Sequence, residues 1–250
     1  MAYMKQILEV LPIKLCLSII LVIMSQPRVC IIIPAINEEA TIGQVIDEIP
    51  RQALQQDGYL VDILLVDGNS TDRTRQVAQE KGAEIIIEPR KGKGRAVRIG
   101  LESVTSDFIF ILDADYTYPP TYIPAMLNIL QHGYDVVIGS RLRGERERGS
   151  ISRLNMVGNR LLTLMANILY QTRISDLCTG YWGIKGKITK DLKLKANGFD
   201  FEAELFTHIA KRGYSIGEVP IYYRRRQTPP KLSSLRDGIK IAWKLITQRF

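Results

Sequence analysis

The apolar run Phe108-Ile109-Phe110-Ile111-Leu112 ends at Asp113-Ala114-Asp115, and no other feature of this chain constrains its fold as strongly. A strand that is apolar at every position is covered on both faces, as in a parallel sheet flanked by helices. Two carboxylates just past its end then stand at the carboxyl edge of that sheet, where open α/β folds bind ligands. With no histidine close in sequence, such a pair suits a hard divalent cation, Mg²⁺ or Mn²⁺, and such a cation suits a diphosphate. The plainer alternative is that Asp-x-Asp only caps the strand or the helix after it.

The rest of the first half alternates in the same way. Val29 to Ile33 reads as a buried strand stopped by Pro34, and Glu38 to Ile49 has helical spacing through Ile42, Val45, Ile46 and Ile49. Val61 to Val66 is a second strand, ending at Asp67, with a helix starting near Thr71 or Asp72. Glu84 to Ile87, Phe108 to Leu112 and Val136 to Gly139 are further strands, with helices from Gly94 to Leu101 and Tyr122 to Leu130. Strand–helix alternation predicts an α/β fold with a mostly parallel central sheet. The second half has a polar loop from Arg141 to Arg148 and a long helix from about Ser152 to Tyr170, carrying Leu154, Val157, Leu161, Leu164, Met165 and Ile168. Strands are predicted at Tyr181 to Ile184 and Glu218 to Tyr223, with a helix from Phe201 to Lys211 between them.

Composition narrows the function classes. The 250 residues are 46% hydrophobic and 24% charged, which is globular rather than disordered. A formal net charge of +8 favours an anionic partner: nucleic acid, acidic lipid or phosphate-bearing substrates. Cys16, Cys30 and Cys178 are far apart with no Cys-x-x-Cys pair, so neither a disulfide framework nor a zinc site is indicated. Only His132 and His208 are present, which argues against a histidine-rich metal site or a Ser-His-Asp triad.

The two ends suggest a lipid surface. Val10 to Met24 is apolar apart from Lys14 and Ser18, and shorter than the ~20 residues that span a bilayer comfortably. A cleaved signal peptide competes with this reading, but no small-x-small cleavage site precedes Arg28. A membrane-associated segment held on the cytoplasmic side is the favoured expectation. From Leu235 onward, Leu235, Ile239, Ala242 and Ile246 mark one helix face, with Arg236, Lys240 and Lys244 off it. A basic amphipathic helix on an anionic membrane and a terminal helix docked on the domain are equally consistent with that pattern. The expected organisation is a hydrophobic segment at 1–27, a catalytic domain at 28–226, and an acceptor-side loop with the basic helix at 227–250.

Each strand end carries polar groups: Pro34-Ala35-Ile36-Asn37-Glu38, Asp67-Gly68-Asn69-Ser70, Asp113-Ala114-Asp115 and Gly139-Ser140-Arg141. Added to these are Val-Asp-x-x-Ser-x-Asp-x-Thr from Val66 to Thr74 and Lys-Gly-Lys-Gly-x-Ala from Lys91 to Ala96. Asp115-Tyr116-Thr117-Tyr118-Pro119-Pro120, Tyr223-Arg224-Arg225-Arg226, Lys231-Leu232-Ser233 and Arg236-Asp237-Gly238 complete an ordered set. From about Arg28 to Gly238 this set resembles the inverting glycosyltransferases of family 2, which have the GT-A fold. Within that family it is most similar to the dolichyl- and polyprenyl-phosphate sugar transferases, the group that includes the dolichyl-phosphate mannose synthases.

The resemblance implies roles. Pro34, Ile36, Glu38 and Asp67 would hold the nucleoside, with Lys93 and Ala114 also on the donor. Asp113 and Asp115 would stand beside the diphosphate, with Thr117 near the metal where mannose synthases carry Gln. A lipid monophosphate is already an anionic nucleophile, so the acceptor side needs cations rather than a base. Arg141, Arg153, Arg224, Arg226 and Lys231 are the candidates, and the family's counterparts of Arg141, Arg153 and Lys231 face the phosphates. Asp115, Arg141 and Lys231 are thus the expected catalytic set, Mg²⁺ or Mn²⁺ the cofactor, and a nucleotide-sugar, polyprenyl or dolichyl phosphate and a membrane surface the partners. Two departures stand out: Gly68 where many relatives have a second Asp, and the lack of a Gly in Gln227-Thr228-Pro229-Pro230.

A family 2 enzyme acting on a glycan hydroxyl is the competing reading, and would need a base such as Glu202 or Glu204. The lack of a Gln-x-x-Arg-Trp motif and of a train of membrane spans argues against a processive polysaccharide synthase, and the acidic edge loops with no recognisable binding motif argue against a nucleic-acid-binding module.

Overall fold

The computed structural model describes residues 26–227 and 234–250. The apolar segment Val10 to Met24 and the loop bearing Lys231 lie outside the described residues.

One sheet of seven strands organises the chain, in the order β3-β2-β1-β4-β6-β5-β7. The strands are β1 Arg28–Ala35, β2 Leu60–Asp67, β3 Glu84–Ile87, β4 Phe108–Ile111, β5 Val136–Ser140, β6 Trp182–Lys185 and β7 Ile216–Pro220. Parallel pairing joins β3, β2, β1 and β4, and also β5 and β7. Only β6 is antiparallel to its neighbours, β4 and β5. The sheet is therefore mostly parallel, with one reversed strand near its middle.

Helices cover both faces: α1 Ile42–Asp47, α2 Arg51–Gln56, α3 Thr74–Glu80, α4 Lys93–Ser103, α5 Ile123–Gln131, α6 Arg153–Tyr170, α7 Gly186–Thr189, α8 Phe201–Lys211 and α9 Ser234–Thr247. Alternate residues of β1 feed two cores. Cys30 and Ile32 pack with Val97 of α4, Ala166 of α6 and Phe206 of α8. Ile31 and Ile33 pack with Val45 of α1, Leu54 of α2 and Met126 of α5. Each of these isoleucines is fully buried, a transfer worth about 1.5–3 kcal/mol apiece. Gly100 lets α4 close onto β1, since a Cβ there would lie 2.6 Å from the Ile32 side chain.

Boundaries differ from expectation where a loop captures the backbone. The helix expected from Glu38 begins only at Ile42, because the Glu38 N–H is taken by the Thr74 hydroxyl (2.8 Å) and the Glu38 carbonyl closes a turn to Thr41. The strand expected at Glu218 to Tyr223 runs from Ile216 to Pro220; beyond Ile221, Tyr222 donates to the Tyr122 hydroxyl and Tyr223 pairs with Arg146. The long helix begins as expected, with Ser152 Oγ accepting from the Asn155 N–H at 3.1 Å as an N-cap. The last helix, α9, packs on α6 and α8 through Ile241 and Leu245, and Tyr170 donates to the Leu245 carbonyl at 2.8 Å.

Candidate active site

The carboxyl ends of β1, β2 and β4 turn away through left-handed residues, Asn37 (φ 51°), Asn69 (φ 65°) and Tyr116 (φ 64°). Asparagine tolerates that region, while a tyrosine there is strained by about 1–3 kcal/mol, a pattern that concentrates at functional loops. The loops hold one another in place. Asp67, fully buried, accepts from the Ser70 N–H at 2.9 Å and from the Ser70 hydroxyl. Ser70 in turn accepts from the Asn37 N–H (2.9 Å), and Asn37 accepts from the Thr71 N–H (2.8 Å). Thr41 donates to the Ala114 carbonyl at 2.8 Å, which ties the first loop to the Asp113–Asp115 turn. Pro34 is buried at the end of β1, with Ile36 half-buried beyond it.

The two carboxylates have separate cationic partners. Lys93 Nζ lies 2.6 Å from Asp113 and 2.7 Å from Glu202. Burial alone would lower the Lys93 pKa, but the two carboxylates outweigh it and hold it above the usual lysine range. Asp115 accepts from the Thr117 N–H (3.1 Å) and hydroxyl (2.6 Å), and its other oxygen lies 3.2 Å from Arg226. Arg226 also donates to Glu38 at 3.2 Å, so the first loop, the acidic turn and the segment after β7 meet at one guanidinium. Burial, followed by repulsion from Asp113, pushes the Asp115 carboxyl above the usual carboxylate range. That is the state a cation would relieve.

Among the described residues no group of three His, Cys, Asp or Glu side chains could hold a metal unaided. Two edge carboxylates still fit Mg²⁺ or Mn²⁺, which commonly take one or two protein carboxylates and complete their shell from substrate phosphates. Asp113 and Asp115 would hold the ion. The Thr117 hydroxyl is directed at Asp115, so it supports that carboxylate.

The expected acceptor cations fall into three situations. Arg141 grips Asp176 with two parallel hydrogen bonds of 2.8 Å, and its backbone N–H donates to the same carboxylate at 3.0 Å. Its guanidinium lies 5.3 Å from the Tyr223 ring centroid and 6.0 Å from that of Tyr118. Asp176 is fully buried and also accepts from Asn159 of α6 at 2.6 Å. Burial would raise the Asp176 pKa, but the Arg141 charge and these hydrogen bonds keep it below the usual value. Arg224 is bidentate to Glu48 (2.9 and 3.0 Å) and stacked 4.0 Å over Tyr116. Arg153 is exposed at the start of α6.

Beside Asp115 a cavity of ≈ 430 Å³ is lined by Tyr116, Glu147, Arg224, Arg225, Arg226 and Gln227. Three arginines in one cavity next to an acidic turn suit an anionic ligand. A larger open cleft of ≈ 910 Å³ lies at the other edge of the sheet, by the start of β4 and the end of β6.

Other expected chemistry is displaced. Gly92 and Gly94 let the Lys91–Arg95 turn approach the backbone of residues 196–198, since a Cβ on either would collide with the Asn197 or Ala196 carbonyl. Glu204 accepts from the Lys195 and Ala196 N–H groups (2.8 and 2.6 Å), and Glu202 is held by Lys93. Burial pushes the Cys178 thiol up to about 12, so it is no nucleophile at neutral pH. Asp176 and Asn159 were not indicated by the sequence. Their only signal is an aspartate in a polar stretch between a helix and an apolar strand, a pattern shared by ordinary turns.

Residues 30–193 match the profile of glycosyl transferase family 2. Glycosyltransferase AglJ of Haloferax volcanii is 35% identical over 84% of this chain and 68% of its own length. The dolichyl-phosphate hexose transferase of the same organism is 34% identical over 84% of this chain and 89% of its own. Among solved structures, glucosyl-3-phosphoglycerate synthase from Mycobacterium tuberculosis, in complex with Mn²⁺, uridine diphosphate and glucosyl-3-phosphoglycerate, superposes with a TM-score of 0.70. It is 22% identical and covers 89% of this chain and 80% of its own, which is a likeness of fold.

Proposed function

The chain belongs to glycosyl transferase family 2 and has its GT-A-type fold, and from that membership we propose that it transfers a hexose from a nucleotide-sugar to polyprenyl or dolichyl phosphate at the cytoplasmic face of a membrane. One observation carries the choice of acceptor. The cavity beside Asp115 is lined by Arg224, Arg225 and Arg226, its one carboxylate, Glu147, accepts from the Arg225 N–H at 2.7 Å, and Glu202 and Glu204, the two residues expected as a base, are engaged elsewhere. A hydroxyl acceptor must lose a proton as it attacks, whereas a phosphate needs only to be neutralised and aimed. The name of the dolichyl-phosphate hexose transferase relative supports the same acceptor class.

In this reading the lipid phosphate oxygen attacks the anomeric carbon as the bond to the nucleoside diphosphate breaks on the opposite side, so the configuration inverts. Asp67 and the loop from Pro34 to Glu38 position the nucleoside. Lys93 holds the Asp113 carboxylate in place. A divalent cation held by Asp113 and Asp115 would offset the charge developing on the leaving diphosphate. Arg141, fixed by Asp176, and the cavity arginines orient the incoming phosphate.

Incubating the protein with radiolabelled GDP-mannose, UDP-glucose or UDP-N-acetylglucosamine and a short polyprenyl phosphate is expected to move label from one donor into the organic phase. Label found only in water-soluble glycans would overturn the acceptor assignment. Lys231→Ala is expected to lower kcat by about 10²-fold or more, as for one electrostatic stabiliser, with little change in donor Kd. Single-turnover transfer and donor titration on the same variant check both numbers.

A further inference from the structure

The outer face of α6 is apolar, and among the described residues nothing covers it. Leu154, Val157, Leu161, Leu164 and Ile168 follow one another at spacings of three and four, and are 54–69% exposed. The residues that α6 buries, Asn159, Thr163, Ala166 and Tyr170, lie on the opposite side of the helix. The neighbouring α9 repeats the arrangement: Ile241 and Leu245 face inward, while Ile239, Trp243 and Ile246, followed by Phe250, face out at 42–97% exposure. A bare apolar patch built from two adjacent helices marks an interaction surface rather than scattered surface hydrophobes.

We propose that α6 and α9 together dock the protein on an anionic lipid bilayer, with both apolar stripes entering the boundary between headgroups and acyl chains; this deepens, and rests on, the lipid-phosphate reading of the site. Charge selects the occupant. Arg153 and Arg160 flank the stripe of α6, and Arg236, Lys240 and Arg249 flank that of α9; all five are exposed. The two helices contain a single acidic residue, Asp237, and it is buried. A second copy would bring like charges face to face, whereas anionic headgroups complement them.

The placement also serves the chemistry. On its inner side α6 holds the partner of Arg141, through Asn159 to Asp176 at 2.6 Å, and Thr163 accepts from the Leu177 N–H at 3.0 Å. One helix diameter, about 10–12 Å, thus separates the bilayer boundary from the Arg141–Asp176 pair.

Trp243 reports on the contact without labelling. The chain has two tryptophans, and the other, Trp182, is fully buried in the core. Neither lies in the N-terminal apolar segment, so tryptophan quenching distinguishes this surface from anchoring by that segment. The full chain is mixed with vesicles containing phosphatidylglycerol and acyl-brominated phosphatidylcholine. Trp243 emission is expected to shift to the blue and be quenched, and Trp243→Phe to abolish the response. Leu161→Glu with Leu164→Glu is expected to weaken vesicle partitioning about tenfold or more and reduce quenching, with an unchanged melting temperature because both sites are exposed. Unquenched Trp243 in protein that floats with the vesicles would overturn the proposal. So would a lipid-free dimer in sedimentation velocity whose Trp243 emission is already blue-shifted. Transfer to polyprenyl phosphate in detergent micelles is scored separately: its failure in wild-type protein would count against the acceptor, and leave the docking result standing.

Discussion

Asp176→Ala is expected to destabilise the protein by about 3–5 kcal/mol, because it strands the buried Arg141 charge without its partner. Chemical denaturation measures that loss. Asp176→Asn keeps the shape and the Asn159 contact in reach, but removes the charge that fixes the guanidinium. It is expected to lower kcat for transfer well beyond any change in donor affinity, because the donor loops lie on β1, β2 and β4 and do not touch Asp176. The acid limb of stability carries an independent signature. The Asp176 pKa is depressed in the folded protein, so its contribution is present above the ordinary carboxylate value of about 3.9 and is lost as pH falls through the folded value. Asp176→Asn removes that contribution, and its stability should therefore vary less with pH in this range. A variant with wild-type kcat and wild-type acid limb would show that Arg141 needs no such support.

Asp115→Asn tests the other half of the site, and its two readouts should move apart. Transfer is expected to fall by about 10²-fold or more, the scale of several kcal/mol of lost charge stabilisation. Stability is expected to hold or rise, because burial and Asp113 already disfavour the charged form of Asp115, and Arg226 keeps its contact with Glu38. In wild-type protein EDTA should abolish transfer and Mn²⁺ or Mg²⁺ restore it, while excess metal should not rescue the variant. Full turnover by Asp115→Asn in EDTA would remove the cation from the mechanism.

The parts of the site that were legible in the sequence are those that punctuate a strand. Pro34, Asp67 and Asp113 each end an apolar run, and a run of that kind can only deliver its terminus to a sheet edge. Asp176 was not legible because its importance is a pairing with Arg141, 35 positions away, and neither residue's neighbours hint at the other. The reversal of β6 was equally hidden, since a strand of four residues reads the same in either direction. Short α2 escaped because only Leu54 is buried and the rest of Arg51–Gln56, apart from Ala53, is polar. For α6 the sequence picks out Leu154, Val157, Leu161, Leu164, Met165 and Ile168, of which Met165 is half-buried and the other five share the exposed face. Periodicity says which residues share a face, but not whether protein covers it.

The reversed strand has a consequence for how such a chain can diversify. Six strands finish at the catalytic edge and one, β6, starts there. The segment that feeds it, from Gln171 to Tyr181, therefore approaches the edge from outside the crossover connections that fix β3, β2, β1 and β4 in register. Its Asp176 pairs with Arg141 and its Gly180 lies against Asp113 and Lys93, so this single connection touches both sides of the edge. Variation in residues 171–181 is therefore expected to act on the Arg141 side and on the Asp113–Lys93 side together, so the two halves of the edge diversify as one unit.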